Sequence, residues 1–287
     1  MLFRSENCSR KHIAAADFDA LMQFLASCGR VGALTELLSD MEHGRPVAGR
    51  VAVTFDDGFE NNYSVAFPIL QKHRVPATFF LTTGFIGSSR VFWVDKLEYL
   101  LNETPAERLA LTTTGGEFPL TSTAAREHAL RAIKHALKRQ PMLIDDTLAE
   151  IEACAGVAPE YSCPDYRMMT WDQAREMQRS GLCDFGPHTV DHAILSHVTS
   201  REKERQILGS KATLERELAV AASVFAYPEG QQDHFDDEAI EMVRRAGFSA
   251  AVSAIFGVNT PATSKYRLYR NMVEFAAPFQ QCVEGMQ

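Results

Sequence analysis

Two adjacent carboxylates follow a short apolar run early in the chain. Asp56 and Asp57 come directly after residues 51–55 (VAVTF), and Gly58 permits a sharp turn behind them. An apolar run without polar alternation is typical of a strand buried on both faces. Active sites of barrels and doubly wound sheets lie at the C-terminal ends of such strands. The pair therefore indicates catalytic carboxylates, or else a helix cap or an Asx-turn, which is the commoner role of an Asp after a strand.

Two histidines follow a second apolar run. His188 and His192 stand four positions apart, after the run at 182–185. One helical turn or a tight loop would bring both imidazoles to the same side, which is a usual way to hold a divalent metal. The alternative is two unrelated surface histidines, since the chain has nine.

The carboxylate pair and the histidine pair together contain the parts of a hydrolytic metal site. Two imidazole nitrogens and one carboxylate oxygen make three protein ligands, which leaves coordination positions open for water and substrate, as in catalytic sites. The second carboxylate is then free to act as a general base. The two motifs predict metal-assisted hydrolysis.

The rest of the chain must supply the elements that position these residues. Apolar runs predict strands at 51–55, 77–81, 182–186, 224–227, 248–253 and 268–273. Helical patterns between them predict helices at 61–72, 171–180, 201–218 and 236–246. This alternation favours a parallel sheet, closed or open. Residues 97–164 break it with helical patterns at 124–139 and 144–155 and without a convincing buried strand. We expect a helical insertion there, inside a single domain spanning 1–287.

Composition and charge exclude some classes of partner. The formal net charge is −8, whereas a nucleic-acid or anionic-membrane surface needs clustered Lys and Arg. No apolar run reaches the length of a membrane span. The six cysteines form no C-x-x-C pair, and residues 1–12 contain no apolar segment of the kind found in signal peptides. We expect free thiols and a cytoplasmic protein.

The motifs resemble those of the polysaccharide deacetylases, which form carbohydrate esterase family 4 and share the chitooligosaccharide deacetylase homology domain. The resemblance covers about residues 13–275 and depends on five segments: TFDDG at 54–58, PATFF at 76–80, HTVDH at 188–192, FAYPEG at 225–230 and RLYRN at 267–271. It implies an α/β fold, a distorted and incomplete (β/α)7-type barrel, and a divalent metal, usually zinc. It also implies that Asp56 is the general base and that Asp57, His188 and His192 bind the metal.

The chain departs from the family pattern after the fourth predicted strand. Many members have an Arg-x-Pro-Tyr motif where this chain has residues 226–229 (AYPE). Ala226 stands at the position of the family arginine that orients the base. Glu229 stands at the position of the family tyrosine, and its backbone N–H would still donate a hydrogen bond to the oxyanion. Arg270 is a candidate replacement for the missing arginine; the alternative is a surface salt bridge. No His follows His234, so the family's catalytic acid has no counterpart. Candidate acids are Glu229, a metal-bound water and reprotonated Asp56.

The resemblance leads to an expected activity. We expect a hydrolase of non-peptide amide bonds that removes an N-acyl group, foremost N-acetyl, from an amino sugar of a polysaccharide or its precursor. Tyr227, Pro228 and Trp93 are the candidates for contact with that sugar. The alternatives are a deformylase or other amide hydrolase of the same fold, and a carbohydrate-binding relative without catalysis.

Overall fold

The computed structural model describes residues 13–156, 161 and 164–273. In its first half the helices and strands are α1 (Ala15–Ser27), α2 (Leu34–Glu42), β1 (Val53–Asp57), α3 (Phe67–His73), β2 (Ala77–Leu81), α4 (Trp93–Glu103), β3 (Arg108–Ala110) and β4 (Glu117–Pro119). The second half contains α5 (Thr123–Arg139), α6 (Ile144–Ala155), α7 (Trp171–Arg179), β5 (Cys183–Pro187), α8 (Ser200–Leu218), β6 (Val224–Ala226), α9 (Asp237–Arg245) and β7 (Ala250–Val252). The described residues form two compact units, one of 13–88 with 168–273 and one within 89–167.

The first unit is built on parallel strands. β1, β2 and β5 form one sheet in that order, and β6 pairs with β7 in a second. Parallel bridges at Val31–Val51 and Val252–Leu268 add one extended segment at each end. β5 and β6 share no ladder in the described part of the chain. The predicted fold class is confirmed: an α/β fold with a distorted, incomplete (β/α)7-type barrel.

The strand register places one phenyl ring from each sheet strand in a row. Phe55, Phe79 and Phe185 are register partners, and all three are buried. The rings of Phe55 and Phe79 stack with centroids 4.6 Å apart, and Phe18 of α1 packs edge-on against Phe55. Because side chains alternate along a strand, the next row, which contains Asp56, Phe80 and Gly186, faces the other side. Phe80 there packs with residues of β6 and β7.

Most predicted elements of this unit are present, with shifts of at most two residues at their ends. The predicted crossover helix at 61–72 begins with a π-helical turn, Asn62–Ala66, before α3. The strand predicted at 268–273 is wrong: only Leu268 pairs, as an isolated bridge. The backbone beyond it bonds elsewhere instead, since Tyr269 N–H donates to the Asn259 side chain and Arg270 N–H donates to the Ile255 carbonyl.

The second unit lies where the sequence predicted a helical insertion, at 97–164, and that assignment stays a prediction. α5 and α6 match the predicted helices, and with α4 they enclose a separate apolar core that includes Leu97, Ile133 and Ile151. The short antiparallel pair β3–β4 was not predicted, because two three-residue strands with mostly exposed side chains leave no apolar run. The single domain over 1–287 stays a prediction. Within the described ranges, no helix is both long and apolar enough to cross a bilayer.

Candidate active site

The carboxylate pair ends β1, and an unusual backbone conformation brings it into the site. Asp57 has φ +75° and Gly58 has φ +91°. For a non-glycine residue the left-handed region costs about 1–2 kcal/mol, and such strain concentrates at functional sites. It breaks the strand alternation that would otherwise turn Asp57 away from Asp56. Glycine suits the position behind them, because its φ is strained for any L side chain and a Cβ there would also lie 2.5 Å from Ile86 Cδ1.

His188 follows β5 and is 1% exposed. Its Nδ1 lies 2.8 Å from the carbonyl oxygen of Ala226 at the end of β6. Since a carbonyl only accepts, Nδ1 carries the proton and Nε2 keeps a free lone pair, which is the tautomer that a metal ligand needs. Burial lowers the pKa of His188 and outweighs the opposite effect of the Asp56 charge. The imidazole is therefore neutral at physiological pH and suited to coordination.

His192 completes the group from the turn that follows His188. It also has a left-handed backbone, with φ +58°. Its Nε2 lies 3.3 Å from Asp57 Oδ1, and His188 Nε2 lies 3.7 Å from the same oxygen. One ligand atom from each of the three residues lies within 4.8 Å of the others. The structure thus brings together the three residues predicted as ligands.

The chemistry of this group fits a bound cation. Asp57 Oδ1 is buried and accepts no hydrogen bond from any described residue, although buried polar atoms in proteins are nearly always paired. Two imidazole nitrogens face this oxygen. A divalent metal held by two His and one carboxylate would satisfy it and leave further positions open.

Arg270 is bound to the second carboxylate. Its Nη1 and Nη2 each lie 2.7 Å from one oxygen of Asp56, a bidentate pair. Its Nε donates to the Ser253 carbonyl at 2.6 Å, and the guanidinium lies over the ring of Phe80. The guanidinium side chain is 15% exposed, so this is not the surface salt bridge that the sequence left open. Arg270 thus makes the contact with Asp56 that a replacement for the missing arginine needs, and its role in catalysis stays a prediction.

The charge state of Asp56 follows from this pair. Burial alone would raise the pKa of Asp56, but the charge and hydrogen bonds of Arg270, together with His188, lower it well below its usual value. Asp56 is therefore ionised throughout the physiological range. It is a fixed carboxylate beside the metal-ligand group.

Residues 228–230 form a tight turn after β6. Glu229 has φ +58°, and Gly230 N–H donates to the Pro228 carbonyl at 2.6 Å. Gly230 N–H and the Gly230 carbonyl therefore both have backbone partners, the second being Ala254 N–H at 2.9 Å. Pro228 is buried and Glu229 is partly exposed. The roles predicted for the Glu229 carboxylate and N–H, and for Pro228 against substrate, stay predictions.

Two residues predicted to contact the sugar pack against apolar cores in the structure. Tyr227 is 1% exposed, its ring stacks on Phe235 with centroids 4.0 Å apart, and its hydroxyl donates to the Tyr266 carbonyl. The prediction that its side chain binds substrate is wrong, because the ring is part of the core. Trp93 begins α4 in the second unit and packs against that unit's own core. Its contact with substrate stays a prediction.

Sequence reasoning missed three groups that form hydrogen bonds with His188, with Arg270 and with the turn before His192. Two of them are the backbone carbonyls of Ala226 and Ser253, which bind His188 and Arg270. A carbonyl has no residue-type signature, so no motif reveals it. The third is Gln206, a buried amide in α8 that accepts from the N–H groups of Val190 and Asp191.

Relatives among characterised and catalogued proteins agree with the motifs. The chain is 20% identical over 256 residues to "Putative polysaccharide deacetylase YxkH" of Bacillus subtilis, an alignment that covers 88% of this chain and 63% of that protein. It is 32% identical over 90 residues to "Poly-beta-1,6-N-acetyl-D-glucosamine N-deacetylase" of Staphylococcus epidermidis, covering 31% of each. The chain thus spans less than two thirds of the length of these relatives.

Solved structures show the same fold. IcaB from Ammonifex degensii superposes with a TM-score of 0.66 at 21% identity, covering 100% of this chain and 93% of that one. The Streptococcus pyogenes deacetylase PplD superposes with a TM-score of 0.64 at 19% identity, covering 96% and 88%. The family model "Polysaccharide deacetylase" matches residues 43–251. This range includes most of the chain and all three candidate metal ligands, and the chain belongs to the polysaccharide deacetylase family.

Proposed function

We propose that the chain is a metal-dependent hydrolase that removes an N-acetyl group from an amino sugar of a polysaccharide. One observation carries the proposal: the Asp57, His188 and His192 ligand atoms converge within 4.8 Å beside an arginine-held Asp56. Family membership supports the same reaction. The substrate class is supported by the staphylococcal relative, whose name gives its polymer as poly-β-1,6-N-acetyl-D-glucosamine.

Asp57, His188 and His192 would hold the cation. Two His and one carboxylate form a ligand set that suits zinc, and also iron, cobalt or nickel; we propose zinc, because three protein ligands of this kind are typical of catalytic zinc sites. When bound, the cation supplies Lewis-acid activation of a water molecule and of the amide carbonyl. The His188 tautomer, fixed by the Ala226 carbonyl, keeps one imidazole permanently directed at it.

Asp56 would take the proton from the attacking water. Arg270 bonds both of its oxygens, so the carboxylate has one orientation and stays ionised. A general base with a lowered pKa is intrinsically weak, and therefore the water itself must be acidified by its surroundings. The advantage of the pair is positional, since the base is held in place before substrate arrives.

The reaction also needs an oxyanion donor and an acid. The backbone N–H of Glu229, at the left-handed turn after β6, is our proposed donor; loss of one such donor costs about 10²–10³ in rate. For the leaving amine we favour reprotonated Asp56. Because Arg270 lowers its pKa, the protonated form is a strong acid and releases its proton readily to an amine.

The contacts of Asp56 bear on the alternatives. A carbohydrate-binding relative without catalysis needs no oriented base beside a metal site, so the bidentate pair argues against it. The name of the staphylococcal relative supports acetyl over formyl.

A release assay tests the proposal. The protein, freed of metal with a chelator and then loaded with zinc, is incubated with β-1,6-linked oligomers of N-acetylglucosamine and with matched N-formyl oligomers. We expect acetate release that depends on added metal and little formate release. Zinc-loaded protein that releases neither acid would contradict the proposal, and release of formate alone would exclude the acetyl assignment.

A further inference from the structure

Gln206 contacts the turn that carries His192. It lies within α8, is 1% exposed, and uses both ends of its side-chain amide. Its oxygen accepts from Val190 N–H and Asp191 N–H, both at 2.9 Å. Its nitrogen donates to the carboxylates of Asp191 at 3.0 Å and Glu202 at 2.9 Å. Backbone N–H groups only donate and carboxylates only accept, so these partners fix the orientation of the amide.

The backbone of the 189–192 turn is strained at two residues. Thr189 and His192 both have left-handed backbones, with φ +64° and +58°. Non-glycine residues keep such conformations only where the surrounding structure determines them. On one side, Thr83 N–H and Gly84 N–H donate to the carbonyls of Thr189 and Val190, at 3.1 and 2.8 Å. On the other side, the N–H groups of the turn bond to Gln206.

We propose that Gln206 is a positioning residue for the metal site, one that fixes the 189–192 turn so that the His192 imidazole meets Asp57 and His188. The proposal rests on the metal site of the proposed function. Without the amide, Val190 N–H and Asp191 N–H lose their acceptor, and the turn relaxes from its left-handed form. Partners that orient a ligand typically change metal affinity about 10–100-fold.

A second side chain of α8 also bonds Asp191. Arg205, the residue before Gln206, donates to the same Asp191 carboxylate and to Glu202. Asp191 is therefore bound from two adjacent positions of α8. The helix thus fixes the side chain of Asp191 as well as its N–H, and His192 follows it directly.

Cobalt(II) titration of matched variants tests the proposal. Gln206→Met keeps the length of the side chain and removes all four hydrogen bonds. Lys203→Met is the control: Lys203 is also buried on α8, but its ammonium bonds Asp236 and Glu238, at 2.5 and 2.6 Å, and not the turn. We expect Gln206→Met to bind cobalt about tenfold or more weakly, with altered visible absorption bands. Lys203→Met should keep wild-type affinity and bands even if its Tm falls.

Three outcomes of this titration overturn the proposal. Wild-type affinity and spectrum in Gln206→Met would show that the amide does not set the ligand geometry. Equal losses in both variants would assign the effect to helix packing. Wild-type protein that binds no cobalt would refute the proposed function and, with it, this inference. Should Gln206→Met fail to fold, Gln206→Glu keeps the acceptor for both N–H groups but faces the carboxylates of Asp191 and Glu202. It should weaken cobalt binding relative to Lys203→Met, and unchanged binding would overturn the proposal.

Discussion

Arg270 and Asp56 form a bidentate ion pair across 214 positions of sequence, with both N–O distances at 2.7 Å. Arg270 stands after the last bridged segment, outside the range that the family model matches. Its backbone N–H is held by the Ile255 carbonyl and its Nε by the Ser253 carbonyl. The arginine that bonds the candidate base therefore comes from a position near the end of the described chain. No arginine is needed at position 226, which is alanine.

Removing this arginine should change the pH dependence of activity. Arg270 is the main cause that lowers the pKa of Asp56 against the effect of burial. In Arg270→Met the pKa of Asp56 rises, so the acid limb of kcat/KM should move to higher pH and the rate at neutral pH should fall. Arg270→Lys keeps the charge without the bidentate geometry and should lie between. A pH–rate profile measures this, and an acid limb that stays in place would contradict it.

The same substitution should lower stability, with a defined pH dependence. A carboxylate with a lowered pKa in the folded state stabilises above its unfolded pKa, about 3.9, and loses this contribution as the pH falls through the folded pKa. At pH 7 the free energy of unfolding of Arg270→Met should therefore fall by more than the ~1 kcal/mol that an exposed ion pair contributes. The difference from wild type should narrow below about pH 4. Urea unfolding at several pH values checks this; a pH-independent difference would not fit.

His188→Ala should weaken metal binding sharply, since three protein ligands become two. The matched control is His197→Ala, because His197 is an exposed residue of a short 3-10 turn and is not in the ligand group. Metal content after dialysis against a weak chelator distinguishes them. Equal zinc content in the His188→Ala and wild-type proteins would show that the ligand assignment is wrong.

Tyr227→Phe tests the placement of this ring in the core. The substitution removes one partly buried hydrogen bond, to the Tyr266 carbonyl, and should cost about 0.5–1.5 kcal/mol of unfolding free energy. KM for the sugar should not change, because the ring is 1% exposed. A raised KM with unchanged stability would restore the substrate-binding role that the sequence first suggested.

The sequence predicted β2 well because that strand is buried on both faces. β2 matches its prediction at both ends, and all five of its residues are buried. The three-residue strands β3 and β4 expose most of their side chains, so they carry no such signal. The expected strand at 268–273 failed for the opposite reason: its apolar residues include Tyr269 and Met272, which are exposed.

The residue types of the candidate site were predictable from the sequence, but the backbone conformations and contacts that position them were not. The spacing of the His pair and the position of the Asp pair after a strand indicated a metal site, and the family resemblance assigned Asp57, His188 and His192 to it; the structure brings these three residues together. The left-handed backbone of Asp57 and His192 was not predictable, because neither residue is glycine and the contacts that impose the conformation are distant in sequence. Tyr227 was misread because a motif gives its position but not the direction of its ring.

The most direct test of the account is acetate release by zinc-loaded Asp56→Asn, with metal content measured on the same sample. The amide keeps the size of the side chain and removes the proton acceptor, while Asp57, His188 and His192 are untouched. Asp184→Asn is the control, an exposed Asp on β5 whose carboxylate bonds Thr35. We expect Asp56→Asn to bind zinc as wild type does and to lose at least the roughly 10²–10⁴-fold typical of general-base catalysis. Acetate release at the wild-type rate by the zinc-loaded variant would contradict the central claim.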